Sequence, residues 1–108
     1  MQNKIFVCHL SEISPDRPFV FTHLQRLQIV IFQAVSGYVA VENRCPHAGA
    51  YLHEGQLSGN ILTCHWHGWS FDLKSGQCLN EYWARLKRYE IQIECKKLYL
   101  LTEELNNR

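Results

Sequence analysis

Two short stretches hold residues able to do chemistry together: Cys45-Pro46-His47 and Cys64-His65-Trp66-His67-Gly68. The first reads Cys-x-His, the second Cys-x-x-His, and sixteen residues (48–63) lie between them. Each offers one thiolate and one imidazole. Soft and borderline donors of this kind select a transition metal over calcium or magnesium. Cys45, His47, Cys64 and His67 are therefore the candidate metal ligands. No general acid–base pair stands out elsewhere, so no catalytic side chains are assigned.

The rest of the chain must be able to hold such a site. With 108 residues, 46% hydrophobic and 19% charged, it has the profile of one folded domain that needs no disulfides. The net charge of +1 argues against a nucleic-acid binder, which would carry a strongly basic face. The N-terminal residues lack the apolar run and small-residue cleavage site of an export signal, and no stretch approaches eighteen apolar residues, so no membrane span is expected. Five cysteines form an odd set. Together these features suit a reducing, cytoplasmic setting in which cysteines are ligands or small apolar residues.

Strand signals occupy both flanks. Residues 5–10 form a short apolar run ended by the turn chemistry of Ser14-Pro15-Asp16-Arg17-Pro18. Residues 19–21, 28–33 and 38–41 read as strands, the last two joined across Ser36-Gly37 as a hairpin. The unbroken run Ile29-Val30-Ile31-Phe32 predicts a strand buried on both faces. Residues 42–80 break this pattern, holding five of the six glycines and short strands only at 61–63 and 70–73, with a tight turn at 74–77. After an irregular segment at 81–88, Tyr89, Ile91 and Ile93 alternate with polar residues, Lys96-Lys97 turns the chain, and 98–101 is apolar. The expectation is all-β: a small antiparallel β-sandwich of seven to nine strands. It is one domain over 1–108, with a loop-rich ligand-bearing subdomain at about 43–80 inserted into a base made of 1–42 and 81–108.

Zinc is the first metal to weigh. Structural zinc sites usually keep two cysteines together and two histidines together, whereas each stretch here gives one of each. A [2Fe–2S] centre with one iron on two thiolates and the other on two imidazoles explains that pairing better. Two loops side by side would then place Cys45 and Cys64 on one iron and His47 and His67 on the other.

The chain resembles a Rieske ferredoxin through Cys45-Pro46-His47, Gly49-Ala50, Leu52, Gly55, Leu57, Cys64, Trp66-His67-Gly68, Phe71-Asp72 and Gly76. The match covers the ligand-bearing insertion closely, and the flanking strands agree in order and length. The resemblance implies one Rieske-type [2Fe–2S] cluster. Neutral imidazoles leave the oxidised cluster uncharged, where four thiolates would leave it at about minus two, so an electron is added more easily. The free imidazole nitrogens make the potential pH-sensitive.

Departures from the family pattern carry information. High-potential relatives staple the two loops with a second cysteine pair; Ala50 and Trp66 stand at those positions here. They also place hydroxyl residues two and four positions after the second histidine, where this chain has Trp69 and Phe71. Fewer hydrogen-bond donors near sulfur stabilise the reduced cluster less, which predicts a potential at the low end, on the order of −150 mV. The relatives' proline-bearing covering loop is also missing, since no proline follows Pro46, and residues 78–88 with Tyr82 or Trp83 are expected in its place.

The remaining candidates have plainer roles. His65 is read as solvent-facing or as a neighbour of the ligands, His53 as a polar loop residue, and His9 and His23 as strand residues. Cys8 and Cys95 are expected to be buried small apolar residues, while Cys78 is the one to watch. Trp66 and Trp69 shield the centre from water. The two ligand loops look alike only in having one Cys and one His.

By resemblance, the expected function is a non-enzymatic one-electron carrier, taking electrons from a flavoprotein reductase and passing them to a terminal oxygenase. It would be a monomer that docks transiently, with no nucleic-acid or membrane partner. Other readings are a small Rieske subunit of another redox enzyme such as nitrite reductase, the front domain of a Rieske oxygenase, or a structural zinc module.

Overall fold

The computed structural model describes residues 3–23, 27–46, 49–65 and 68–101. Among them the run 29–32 behaves as its composition predicts. It lies in β3 (Leu27–Ala34), an interior strand of a four-stranded antiparallel sheet ordered β2-β3-β4-β8, with β2 at Phe19–His23, β4 at Gly37–Glu42 and β8 at Arg88–Tyr89. Side chains alternate across a strand, and here both faces are dry. Ile29 and Ile31 join one buried cluster, and Val30, Phe32 and Ala34 join the other.

The first cluster lies toward a three-stranded sheet ordered β1-β10-β9, made of Lys4–His9, Lys97–Leu101 and Ile91–Glu94. Val7, Cys8, Leu98 and Leu100 fill it with Ile13, Ala40 and Tyr89. The register of β1 against β10 slips between Phe6 and Cys8, so consecutive residues Val7 and Cys8 both turn inward. The second cluster lies toward a smaller sheet ordered β5-β6-β7, made of Gln56–Ser58, Ile61–Thr63 and Ser70–Asp72. Every strand pair is antiparallel. The all-β antiparallel architecture is the expected one. No helix among the described residues is long and apolar enough to cross a membrane.

Ten strands form among the described residues, against seven to nine expected. The added ones are β5 and a division of the run 88–94. That run changes sheets at Glu90: Tyr89 pairs with Ala40 of β4, whereas Ile91 pairs with Leu100 of β10. Alternation predicted a buried face through Ile93, but Ile93 is exposed because β9 is an edge strand.

Cys95 also corrects an expectation: it is exposed, not buried. Glu94 pairs with Lys97, leaving Cys95 and Lys96 as a two-residue turn with φ of 52° and 64°. That is the left-handed geometry that hairpin twist favours, reached here without glycine or asparagine. Cys8 is buried as expected; burial, aided by Glu12, pushes its thiol up to about 11. It therefore stays protonated at neutral pH, an apolar filler in effect.

Candidate metal centre

Cys45 and Cys64 enter the same buried cluster, 0% and 2% exposed, together with Ala50, Leu52, Leu62 and Phe71. The loops that begin at these cysteines are closed alike. The Cys45 N–H donates to the Ala50 carbonyl at 2.8 Å, and the Cys64 N–H donates to the Trp69 carbonyl at 2.6 Å. Each bond runs from the cysteine to the fifth residue after it. The fourth residue after each cysteine is a glycine in the left-handed region, Gly49 at φ 72° and Gly68 at φ 66°. Any Cβ-bearing residue is strained in that conformation. The loops therefore share a backbone design beyond their Cys and His content, and its sequence signal is glycine at the fourth position after each cysteine.

Their anchors differ. Loop 64–69 is the end of the β6–β7 hairpin, with Leu62 paired to Phe71 and Thr63 to Ser70. The Thr63 and Ser70 hydroxyls meet at 3.2 Å. Loop 45–50 follows β4 and leads into a 3₁₀ turn, Leu52–Glu54, with no partner strand of its own. Asn43, two residues before Cys45 and 2% exposed, supplies the anchor instead. Its backbone N–H donates to the Gln28 carbonyl at 2.9 Å. Its side-chain amide donates to Gln28 Oε1 at 3.2 Å and to His53 Nδ1 at 2.8 Å, and its Oδ1 accepts the His53 backbone N–H at 3.0 Å.

The 3₁₀ turn joins the two loops. Leu52 is fully buried in the shared cluster. Gly55, which ends the turn, packs so closely on the strand leading to Cys64 that a Cβ there would lie 2.4 Å from the Thr63 carbonyl oxygen. Glycine is required by that approach, not by its backbone angles. Neither Asn43 nor Gly55 was singled out for this role from the sequence.

Residues 77–85 cover the outer side of β7. Cys78 bridges to Phe71, and its N–H donates to the Ala84 carbonyl at 3.1 Å. Gln77 Nε2 donates to the Cys78, Tyr82 and Ala84 carbonyls and so gathers this segment. Trp83 meets Trp69 edge to face, ring centroids 5.7 Å apart. Tyr82 points away, 91% exposed. Of Tyr82 and Trp83, Trp83 is the one that meets the second loop.

His47 and His67, the candidate imidazole ligands, lie outside the described residues, as does Trp66. His65 is exposed. Cys78 is buried, and its sulfur accepts the Asn80 N–H at 3.4 Å. Among the described residues no three His, Cys, Asp or Glu side chains gather as a metal site, so His53, His65 and Cys78 do not complete one with the two cysteines. The donor chemistry fits an iron–sulfur centre: two thiols from loops closed by the same cysteine-to-fifth-residue bond share one dry cluster, where a thiolate is stable only beside a cation.

Comparison with known proteins agrees with this reading. Residues 3–90 match the family described as the Rieske [2Fe–2S] domain. The chain is 30% identical, over 93% of its length, to the methanesulfonate monooxygenase ferredoxin subunit of Methylosulfonomonas methylovora, and spans 82% of that protein. It is 38% identical over 70% of its length to the oxidoreductase NdmD of Pseudomonas putida, but spans only 13% of that protein. In fold it is similar to the Sphingomonas yanoikuyae B1 ferredoxin, with a TM-score of 0.82 at 23% identity, covering 92% of this chain and 98% of that one.

Proposed function

This chain belongs to the Rieske [2Fe–2S] domain family, and from that premise we propose that it is a one-electron carrier and not itself a catalyst. Cys45 and Cys64 would hold one iron of the cluster and His47 and His67 the other. When bound, the cluster supplies a reversible one-electron couple whose potential is set by its mixed ligands.

The chain's own residues do the rest. Leu52, Leu62 and Phe71 keep water from the two sulfurs. The closing hydrogen bonds hold Cys45 and Cys64 in place, so little need move when the charge changes. Trp69, backed by Trp83, covers the side of loop 64–69. The observation that carries the reading is the matched closure of two loops, each with one Cys and one His in sequence.

Its partners follow from its similarity to a protein named as the ferredoxin subunit of a monooxygenase. They are a flavoprotein reductase as donor and a terminal oxygenase as acceptor, each docking transiently on a monomeric carrier in the cytoplasm. Within the chain, residues of about 43–80 act as the redox subdomain and 1–42 with 81–108 as its base.

Redox titration followed by EPR tests this. A paramagnetic reduced state with a midpoint on the order of −150 mV is expected, since Trp69 and Phe71 offer no hydroxyl to sulfur. A colourless protein that binds zinc, or a positive midpoint, would overturn it.

A further inference from the structure

Asn43 is the one buried polar side chain among the described residues. A backbone N–H can only donate, so the bond from His53 N identifies the Asn43 atom facing it as Oδ1. The amide nitrogen therefore faces Gln28 Oε1 and His53 Nδ1. An amide nitrogen can only donate, so Nδ1 must offer its lone pair. That requires a neutral imidazole with its proton on Nε2.

We infer that Asn43 and neutral His53 form an acid-sensitive latch on loop 45–50, with His53 a positioning residue for the metal centre. This rests on the proposed reading of that centre. A proton on Nδ1 sets two N–H donors against each other at a separation of 2.8 Å. Asn43 is too buried for water to replace the lost acceptor. Acid therefore favours the state in which Asn43 and the turn Leu52–Glu54 separate, and loop 45–50 loses its side-chain anchor. Loop 64–69 is held by a hairpin ladder of backbone hydrogen bonds whose one titratable member, Asp72, turns its carboxylate to the Lys74 N–H, so this loop hangs on no side-chain latch of the same kind.

Two carboxylates and one aromatic ring lie around His53. Asp16 lines the same cleft, Glu54 is the next residue in the chain, and the Tyr51 ring lies 5.6 Å away. Asn43 also lines a separate cleft with Gln28 and Tyr51, where the charged residues are Glu42 and Arg44, of opposite sign. From β3, the facing groups Gln28 and Phe32 are uncharged.

The test compares the iron-loaded wild type with His53→Asn, whose side-chain oxygen can accept from Asn43 without titrating, and with His53→Leu, which cannot accept. Loss of visible absorbance to an iron chelator is timed from about pH 8 to about pH 5, the span in which imidazoles ordinarily take a proton. The wild type should lose its cluster roughly tenfold faster at the acid end, the scale of one buried donor left without a partner. His53→Asn should match it at the alkaline end and show a clearly shallower acid rise; His53→Leu should be fast throughout. Equal pH profiles for wild type and His53→Asn, or a slow His53→Leu at the alkaline end, would overturn the latch. If the wild type takes up no cluster, the reading of the centre fails, and urea unfolding of the same three proteins still decides the latch. An acid destabilisation that His53→Asn shares with the wild type would refute it.

Discussion

At Cys45 the chain leaves β4, turns through Ala50 and continues into a 3₁₀ turn. At Cys64 it leaves β6, turns through Trp69 and returns along β7. The turns are alike in three described features: a buried cysteine, a hydrogen bond from it to the fifth residue and a left-handed glycine at the fourth. The second is secured by the strand pair on either side of it, which a hairpin provides by its topology. The first has no return strand, so a buried asparagine, a histidine and a glutamine take the place of the ladder. One loop design can thus be held by backbone pairing or by a side-chain network, and the network can be removed by substituting Asn43 or His53 without altering a strand.

The largest test of this equivalence is removal of the sulfurs. Cys45→Ala and Cys64→Ala should each abolish iron binding and visible colour completely, as measured by iron analysis and absorbance. Retention in either variant would make the loops unequal in the property that matters most.

Gly55→Ala strikes the turn that touches both loops. Its Cβ would lie 2.4 Å from backbone, with no side chain able to yield. A loss of about 3 kcal/mol in urea unfolding is expected, the upper part of the range for overpacking.

Gly49→Ala and Gly68→Ala compare the turns directly. An added Cβ at Gly68 meets nothing within 4 Å, and at Gly49 it meets only the Arg44 guanidinium, at 3.6 and 3.8 Å. Backbone strain alone should decide both, at about 1 kcal/mol each. Unfolding free energies from urea titration that differ between the two by more than about 0.5 kcal/mol would break the comparison.

Thr63→Val removes the hydroxyl contact to Ser70 at the base of the second loop. About 0.5 kcal/mol should be lost, because the hairpin ladder remains. Asn43→Ala, at the corresponding base of the first loop, should cost several times more in the same assay, because it leaves buried partners unsatisfied.

Much of this was legible beforehand. The cysteine spacing pointed to the two residues that share one buried cluster, and the run 29–32 named a strand buried on both faces. The alternation from Tyr89 to Ile93 misled, because its period says nothing of where a strand changes sheets: β8 completes one sheet and β9 edges another. Cys95 is of a residue type usually buried, yet the pairing of Glu94 with Lys97 puts it at the apex of a turn.

The sequence by itself determined which residue types could bind metal, and that β strands would carry the segments that hold them. These follow from residue chemistry and from periodicities that act between near neighbours. Only the tertiary structure decided that Asn43 would be locked to His53, that Gly55 would lie on the Thr63 carbonyl, and that the two loops would close alike. Each of these depends on where the backbone brings separate segments together, and a single asparagine or glycine in a loop carries no period by which that meeting can be read.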